Sequence, residues 1–137
     1  MQVLSANVIG FIERYEAMTK TTVQVKRVYE PPSGDDGVRV LVDRLWPRGL
    51  TKTRAAVDLW LKDLAPSVRL RRWFNHDPSR WTEFKHRYGE ELDAKKAAVA
   101  ALIGAAKRGR VTLVFGARDP EHNNATALYS YLTRHTV

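Results

Sequence analysis

The sequence contains no cysteine among its 137 residues, and this absence excludes several kinds of chemistry. Without thiol groups the chain forms no disulfide, holds no metal through thiolate ligands and has no cysteine nucleophile. A chain without cysteine also suits the reducing environment of the cytoplasm. We therefore predict a cytoplasmic location.

Long apolar runs are also missing from the chain. No stretch approaches the roughly 20 apolar residues that a membrane-spanning helix needs, so we predict no membrane association. The first residues lack a basic lead and a small-residue cleavage pattern, and we expect no secretion signal there. Residues 1–20 have the pattern of an N-terminal extension, and we expect no active-site role for residues 1–17. Residues 21–137 are predicted to form a single domain.

The common nucleotide-binding and hydrolase motifs are absent as well. The chain has no GxGxxG, no GxxxxGK[ST] and no GxSxG sequence. Its histidines and carboxylates do not recur at the spacings that metal sites use. The sequence therefore predicts no bound cofactor and no metal site.

Positive charge is what the chain has in excess. Its formal net charge is +8, and fifteen arginines outnumber eight lysines. Guanidinium groups bind phosphate and carboxylate through two parallel hydrogen bonds, so this bias favours an anionic partner. The basic residues form three groups along the chain: Arg44, Arg48, Lys52 and Arg54; Arg69, Arg71 and Arg72; and Lys107, Arg108 and Arg110. Small anions and nucleic acids both fit such groups.

Three apolar segments predict strands, and the patterns around them predict helices. Residues 38–42 (VRVLV) and 111–116 (VTLVFG) are typical of buried parallel strands, and residues 23–29 alternate as a third strand does. Residues 30–37 make a loop too short for the usual crossover between neighbouring parallel strands, so the first two strands are either not adjacent or joined unusually. Helices before and after residues 111–116 indicate a three-layer α/β sandwich with a small, mainly parallel sheet.

Helix signals fill the long interval between the second and third of these strands. Thr51 or Thr53 is expected to cap a helix that runs to Pro66. Asp77 is expected to start another helix, with Asp93 capping its successor. Four aromatic side chains fall on apolar helical stripes and are predicted to lie mainly in the core: Trp60, Trp73, Trp81 and Phe84.

Polar residues follow the two strongest strand segments. Because the carboxyl ends of parallel strands meet at one edge of a sheet, residues after positions 42 and 116 are expected to share a crevice. The last helix begins there, and its free N–H groups favour an anion. The sequence thus predicts a site for a small phosphate- or carboxylate-bearing ligand. Its predicted binding residues are Arg44, Arg48, Arg118, Asp119 and Asn123. Under the alternative interpretation Asp119 only caps the helix and Arg118 is solvated.

Any proton transfer in this crevice would depend on histidine. Imidazole is the side chain that titrates near neutral pH without perturbation, and a carboxylate can orient it. The candidate catalytic residues are therefore His122 and His76, with Asp43 as the orienting partner. The residues leave open whether the chain is an enzyme, and they give no oligomeric state.

Two other functions stay open on the sequence alone. Residues 69–81 (RLRRWFNHDPSRW) mix arginine with aromatic residues, as single-stranded nucleic-acid sites do, although the aromatic spacing favours a core. A nucleic-acid-binding module is therefore the alternative function, and a scaffold without a ligand is the third. Salt dependence separates the first two, since binding to a phosphate backbone weakens steeply with added salt.

Several separated motifs carry a resemblance to a known family. KRVYEP, LVDRLWPRG, HDP and VTLVFGARD lie within residues 26–132, and this segment resembles the YeaO-like branch of the DUF488 family. The resemblance implies an α/β fold with Rossmann- or flavodoxin-like layering in a bacterial cytoplasmic protein, and it implies no particular activity. The family's motif positions are Asp43, Arg44, Trp46, Pro47, Arg48, His76, Asp77, Arg118, Asp119, His122 and Asn123. Related branches carry a cysteine-containing C-H-R motif after the last core strand, where this chain has ARDPEHNN without cysteine.

Overall fold

The computed structural model describes residues 23–134, where the chain forms a four-stranded sheet. All strand pairs are parallel, and the spatial order of the strands is β1-β4-β2-β3. The strands are β1 (Val23–Arg27), β2 (Val38–Leu41), β3 (Leu59–Trp60) and β4 (Val111–Phe115). The predictions for residues 1–20 lie outside the described residues.

Five α-helices accompany the sheet in the described part of the chain: α1 (Lys52–Ala55), α2 (Val68–Phe74), α3 (Trp81–Asp93), α4 (Lys96–Arg108) and α5 (Asn124–Arg134). Short 3-10 turns occupy Gly34–Asp36, Lys62–Leu64 and Pro78–Arg80. The predicted three-layer α/β sandwich with a small parallel sheet is confirmed. None of the helices between residues 23 and 134 has the length and apolarity needed to cross a bilayer. The cytoplasmic location stays a prediction.

Alternation along the strands divides the core into two parts. Side chains such as Val40 and Leu113 point to one face, where the buried residues of α2, α3, α4 and α5 cover them. Leu41 and Val114 point to the opposite face and form a smaller cluster with Val28 and Ala55. Loops and the short α1 cover this second face, so the third layer of the sandwich is thin.

The connection from β1 to β2 is short, and β4 lies between these two strands. The prediction that the first two strands are not adjacent is therefore confirmed. A buried ion pair holds the end of this connection, with Arg39 Nη1 2.8 Å from Asp36 Oδ2. Lys26 Nζ lies 3.1 Å from Asp36 Oδ1, and Thr112 Oγ1 donates to the Asp36 carbonyl. Polar side chains thus line this face of the sheet at the end where the connection enters β2, beside the apolar cluster of Leu41 and Val114.

The predicted helix from Thr51 to Pro66 was wrong beyond its first turn. Thr51 does cap α1 by accepting a hydrogen bond from the Arg54 amide, but α1 ends at Ala55. Asp58 then pairs with the edge of β2: its amide donates to the Arg39 carbonyl, and its carboxylate accepts from the Arg39 amide. Pairing with β2 therefore replaces the helix that the apolar stripe predicted, and β3 follows.

Of the four aromatic side chains predicted to lie mainly in the core, Phe84 is buried there, and the three tryptophans pack against the core without full burial. Phe84 is fully buried, whereas Trp60, Trp73 and Trp81 are half-buried at the edge of the core. Indole rings are large and carry one polar N–H, so they often lie at the boundary between core and solvent.

The predicted cap on the helix after Asp93 was also wrong. Lys95 precedes α4 without a side-chain cap, and the carboxylate of Asp93 accepts a hydrogen bond from the Tyr131 hydroxyl instead. Asp93 therefore ties α3 to α5 rather than starting α4.

Candidate ligand site at the carboxyl end of the sheet

The carboxylate of Asp43 joins three elements of the fold. Asp43 follows β2, and its Oδ2 accepts a 2.7 Å hydrogen bond from the amide of Gly116, just after β4. Its Oδ1 accepts a 3.1 Å hydrogen bond from the side chain of Asn124, the first residue of α5. The ends of the two central strands and the start of the last helix therefore meet at this carboxylate.

Gly116 leaves little room beside that carboxylate. A Cβ atom at this position would lie 3.3 Å from Asp43 Oδ2, closer than an ordinary van der Waals contact. The bare glycine backbone thus lets the carboxylate approach the end of β4 and receive its N–H group.

The environment of Asp43 disfavours its charged form. Burial raises the pKa of Asp43, and the hydrogen bonds from Gly116 and Asn124 and the positive charge of Arg71 offset this only in part. Arg71, on α2, acts on Asp43 through space, because no direct ion pair joins them in the described structure. On α3, burial raises the pKa of Tyr88, and the charge of Asp43 adds to that increase. Side chains from two helices therefore interact electrostatically with the strand-end carboxylate.

His122 is fixed by a carboxylate and an aromatic ring. Its Nδ1 lies 2.8 Å from Oδ2 of Asp119, and its ring packs edge-on against Trp81 with 5.1 Å between centroids. The amides of Glu121 and His122 both donate to Oδ1 of Asp119. The Glu121 amide and the His122 ring hold the pKa of Asp119 below its usual value. His122 Nε2 makes no hydrogen bond within residues 23–134, and the side chain is 26% exposed.

Both polar atoms of the Asn123 side chain make hydrogen bonds within the fold. The side chain is buried, its Oδ1 accepts from the Thr126 amide at 2.8 Å, and its Nδ2 donates to the Asp119 carbonyl at 3.0 Å. Asn123 is therefore the cap of α5, and Asp119 shapes the preceding loop. In the sequence-based alternative Asp119 had the capping role.

The predicted arginines are exposed and without an acidic partner. Arg44, Arg48 and Arg118 are all exposed, and none forms an ion pair with another described residue. The backbone carbonyl of Arg48 accepts a hydrogen bond from the Tyr29 hydroxyl, which fixes the main chain but leaves the guanidinium group free. Three positive charges are thus available near the segments that follow β2 and β4.

His76 makes no contact with the other candidate catalytic residues, and no hydrogen bond joins Asp43 to His122 within the described residues. It is exposed, has a left-handed backbone with φ +55°, and follows Asn75 at the end of α2. Within the described residues no hydrogen bond or ring contact joins His76 to Asp43 or His122. No group of three or more carboxylate and histidine side chains among residues 23–134 is arranged to hold a metal ion.

Arg71, Asn124 and Trp81 were not predicted as residues of this site. Arg71 and Trp81 come from helices far along the chain from Asp43, and their sequence pattern signals only a basic group and an apolar stripe. Asn124 directly follows the predicted residues His122 and Asn123. Its position at the start of the predicted last helix was the one feature of the sequence that could have indicated a role in the site.

Replacing Asp43 by asparagine tests whether its buried negative charge destabilises the fold. Because burial raises the pKa of Asp43, its ionised form costs folding free energy near neutral pH. Asp43→Asn is therefore expected to leave the free energy of unfolding at pH 7 unchanged or raise it by about 0.5–2 kcal/mol. The difference should shrink as the pH falls through the pKa of Asp43, because wild-type Asp43 is then protonated. Urea denaturation as a function of pH measures both effects.

Asp119→Asn is the matched control for this experiment. The pKa of Asp119 is lowered, so its stabilising effect exists above its ordinary pKa of 3.8 and is lost as the pH falls. Asp119→Asn should therefore lower the free energy of unfolding at pH 7, whereas Asp43→Asn should leave it unchanged or raise it. A marked loss of stability in Asp43→Asn would mean that the carboxylate has a structural role.

Comparison with known proteins places the chain among bacterial relatives. A family model described as "Inactive DUF488-N3 subclade" matches residues 22–136. The chain is 46% identical over 113 residues to the uncharacterized protein Rv3073c of Mycobacterium tuberculosis strain H37Rv, which covers 82% of this chain and 95% of that protein. It is 39% identical over 110 residues to the uncharacterized protein YeaO of Escherichia coli K12, which covers 80% of this chain and 96% of that protein. No solved structure matches the chain.

Proposed function

Because this chain belongs to the DUF488 family, in the branch described as its inactive N3 subclade, we propose that it binds a small anionic molecule. The ligand carries a phosphate or carboxylate group and occupies the crevice at the carboxyl ends of β2 and β4. The observation that carries the proposal is the junction at Asp43, where both strand ends and the start of α5 meet beside arginines without acidic partners.

The charges around the junction support an anion more than a cation. Asp43 is the carboxylate at the junction, and burial raises its pKa, which favours the neutral carboxyl that a neighbouring anion repels least. Asp119 is already engaged by two amides and His122. Arg44, Arg71 and Arg118 would contact the anionic group, and Arg48 would add positive charge at the edge of the site. Asn123 would contribute by holding the first turn of α5 in place.

Two groups are available for the rest of the ligand. Asp43 is an acceptor that would suit a ligand hydroxyl or N–H group, since each carboxylate oxygen can accept more than one hydrogen bond. His122 offers Nε2 as a donor or acceptor, depending on its tautomer. A ligand with a polar group beside its anionic group would therefore satisfy more of the site than inorganic phosphate does.

The aromatic residues weaken the alternative of nucleic-acid binding. Bases stack on free aromatic faces, but the ring of Trp73 faces Arg87 at 4.2 Å and Arg80 at 5.4 Å. Trp81 packs against Phe84 and His122. Without an uncovered ring in this segment, the exposed arginines favour a small anion over a single strand.

Chemical conversion of the bound ligand is a separate extension of the proposal. His122 would carry the proton, Asp43 would orient the ligand, and His76 is a second histidine to test. The description of the subclade as inactive favours binding without a reaction.

A thermal-shift screen with phosphate- and carboxylate-bearing metabolites tests the proposal. Binding stabilises the folded protein, by about 2.7 kcal/mol when the ligand is present at 100 times its Kd, so a ligand raises Tm. We expect Tm to rise with one class of these compounds, and the rise to fall by more than half in Arg118→Ala and Arg71→Ala. Arg108→Ala, an exposed arginine at the end of α4, is the matched control and should retain the full shift.

Two results would contradict this proposal. The first is a screen in which no anionic compound raises Tm. The second is a shift that Arg108→Ala reduces as much as Arg118→Ala does, which would indicate non-specific attraction to a basic surface. Tight binding of an oligonucleotide with a steep salt dependence would favour the nucleic-acid function instead.

A further inference from the structure

The turn after β2 displays an apolar side chain that the fold does not use. Leu45 is 66% exposed, the highest value among the exposed large apolar residues of the described structure. Single apolar residues on a surface are common and need no explanation by themselves. Leu45 differs because the turn around it, residues 43–50, is tightly held.

Side chains beneath the turn hold its backbone at both ends. The indole N–H of Trp60 donates to the Asp43 carbonyl at 2.8 Å, and that of Trp46 donates to the Leu50 carbonyl at 2.7 Å. The Tyr29 hydroxyl donates to the Arg48 carbonyl at 2.8 Å. The two indole rings pack edge to face, with centroids 5.4 Å apart. Leu45 takes part in none of these contacts, so the turn presents it in a fixed position.

Basic residues lie close to this exposed leucine along the chain. Arg44 and Arg48 flank it in the turn, are exposed and have no ion-pair partner among the described residues. Lys62 lies with its Nζ 4.0 Å from the centre of the Trp60 ring, against the same pair of indoles. The exposed Lys52 and Arg54 follow in α1. The surface therefore consists of an apolar centre with a basic edge.

We infer that the Leu45 turn, residues 43–50, is a docking surface for an acidic segment of another protein. An apolar side chain of that segment would pack on Leu45, and its carboxylates would pair with Arg44 and Arg48. Because the turn is already fixed, it loses little conformational entropy when the segment binds. This surface borders the small-ligand crevice proposed above and shares Arg44 and Arg48 with it, but its partner is a protein segment and its centre is Leu45.

The aromatic residues of the turn favour a protein over a nucleic acid. Both indole N–H groups are bonded to backbone carbonyls, and one face of Trp60 is taken by Lys62. Bases stack best on aromatic rings, and the exposed centre of this surface is an aliphatic leucine. An apolar anchor with acidic neighbours fits that centre better than a base does.

Peptide selection tests this inference on the full chain. A random peptide library displayed on phage is selected against the wild-type protein, and the enriched peptides are then measured against variants by fluorescence anisotropy. We expect enrichment of peptides with an apolar residue flanked by aspartate or glutamate. Their affinity should fall by about tenfold or more in Leu45→Ser, as for a central interface residue. Leu59→Ser, an exposed leucine on β3, is the matched control and should bind like wild type.

Each other outcome would overturn the inference. Failure to enrich acidic, apolar peptides would show that the turn recognises no such segment. Equal binding of the enriched peptides to wild type and Leu45→Ser would place their site elsewhere. If a single-stranded oligonucleotide binds more tightly than every selected peptide and loses affinity in Arg48→Ala, the surface binds nucleic acid. Melting curves of both leucine variants check that they remain folded.

Discussion

Replacing Asp36 by alanine is expected to lower the free energy of unfolding by about 3–5 kcal/mol, which is typical when one partner of a buried ion pair is removed. The Asp36 carboxylate is almost fully buried and accepts hydrogen bonds from Arg39, Lys26 and the Ser33 amide. Without it, the guanidinium group of Arg39 stays buried next to an empty space. Urea denaturation measures the loss.

The same residue predicts how stability depends on acid. Burial by itself raises the pKa of Asp36, but the hydrogen bonds from Ser33, Arg39 and Lys26 outweigh it and lower the pKa to about 2. Because this pKa lies below the ordinary value of 3.8, Asp36 stabilises the fold above pH 3.8. This stabilising effect is lost as the pH falls from 3.8 to about 2. Over this pH interval the free energy of unfolding should therefore fall less in Asp36→Ala than in wild type.

Asp35→Ala is the matched control. The Asp35 carboxylate is next to Asp36 in the chain, but it is exposed and forms no ion pair with any described residue. We expect its stability to stay within about 0.5 kcal/mol of wild type, as for ordinary surface substitutions. A loss in Asp36→Ala no larger than in Asp35→Ala would show that the network does not hold the connection between β1 and β2.

Replacing Gly37 by alanine is expected to destabilise the protein by about 2–4 kcal/mol, from backbone strain and overpacking together. Gly37 has φ +62°, and a Cβ atom there would lie 2.1 Å from the carbonyl oxygen of Arg110. That carbonyl accepts a hydrogen bond from the Val38 amide at the start of β2, so the backbone has to move and weaken the pairing of β2 with β4. Thermal unfolding followed by circular dichroism measures the effect.

Gly34→Ala provides the comparison for this second substitution. A Cβ atom at Gly34 would meet nothing within 4 Å, and its φ is not in the left-handed region. Gly34→Ala should therefore be neutral or slightly stabilising. Equal melting temperatures for the two variants would show that the close approach of residues 37 and 110 has no energetic importance.

The fold was largely predictable because its main strands carry strong local patterns. Residues 38–42 and 111–116 are apolar except for Arg39 and Thr112 (and the closing Gly116), and a nearly continuous apolar strand indicates burial on both faces. Strand β3 was missed because it contains two residues and its pairing depends on Asp58 meeting the backbone of Arg39. Contacts between residues that distant in sequence leave no local signal.

The candidate site was predictable only in part, for a related reason. The order of strands and the position of the last helix place Asp43 near the start of α5, and both were visible in the sequence. The contribution of Arg71 depends on how α2 packs against the sheet, and the cap at Asn123 depends on which of several polar residues reaches Thr126. Packing angles and side-chain competition of this kind are decided by the whole fold.

Amide chemical shifts measured during a titration with inorganic phosphate test the central proposal most directly. If the crevice binds anions, the largest changes will occur at the amides of Gly116, Arg118, His122 and Asn124, with saturation at millimolar or lower phosphate. The changes should be much smaller in Arg118→Ala and unaltered in Arg108→Ala. Changes that are absent, or that are largest at the basic group around Arg108 and Arg110, would contradict the proposal that the strand-end crevice is the ligand site.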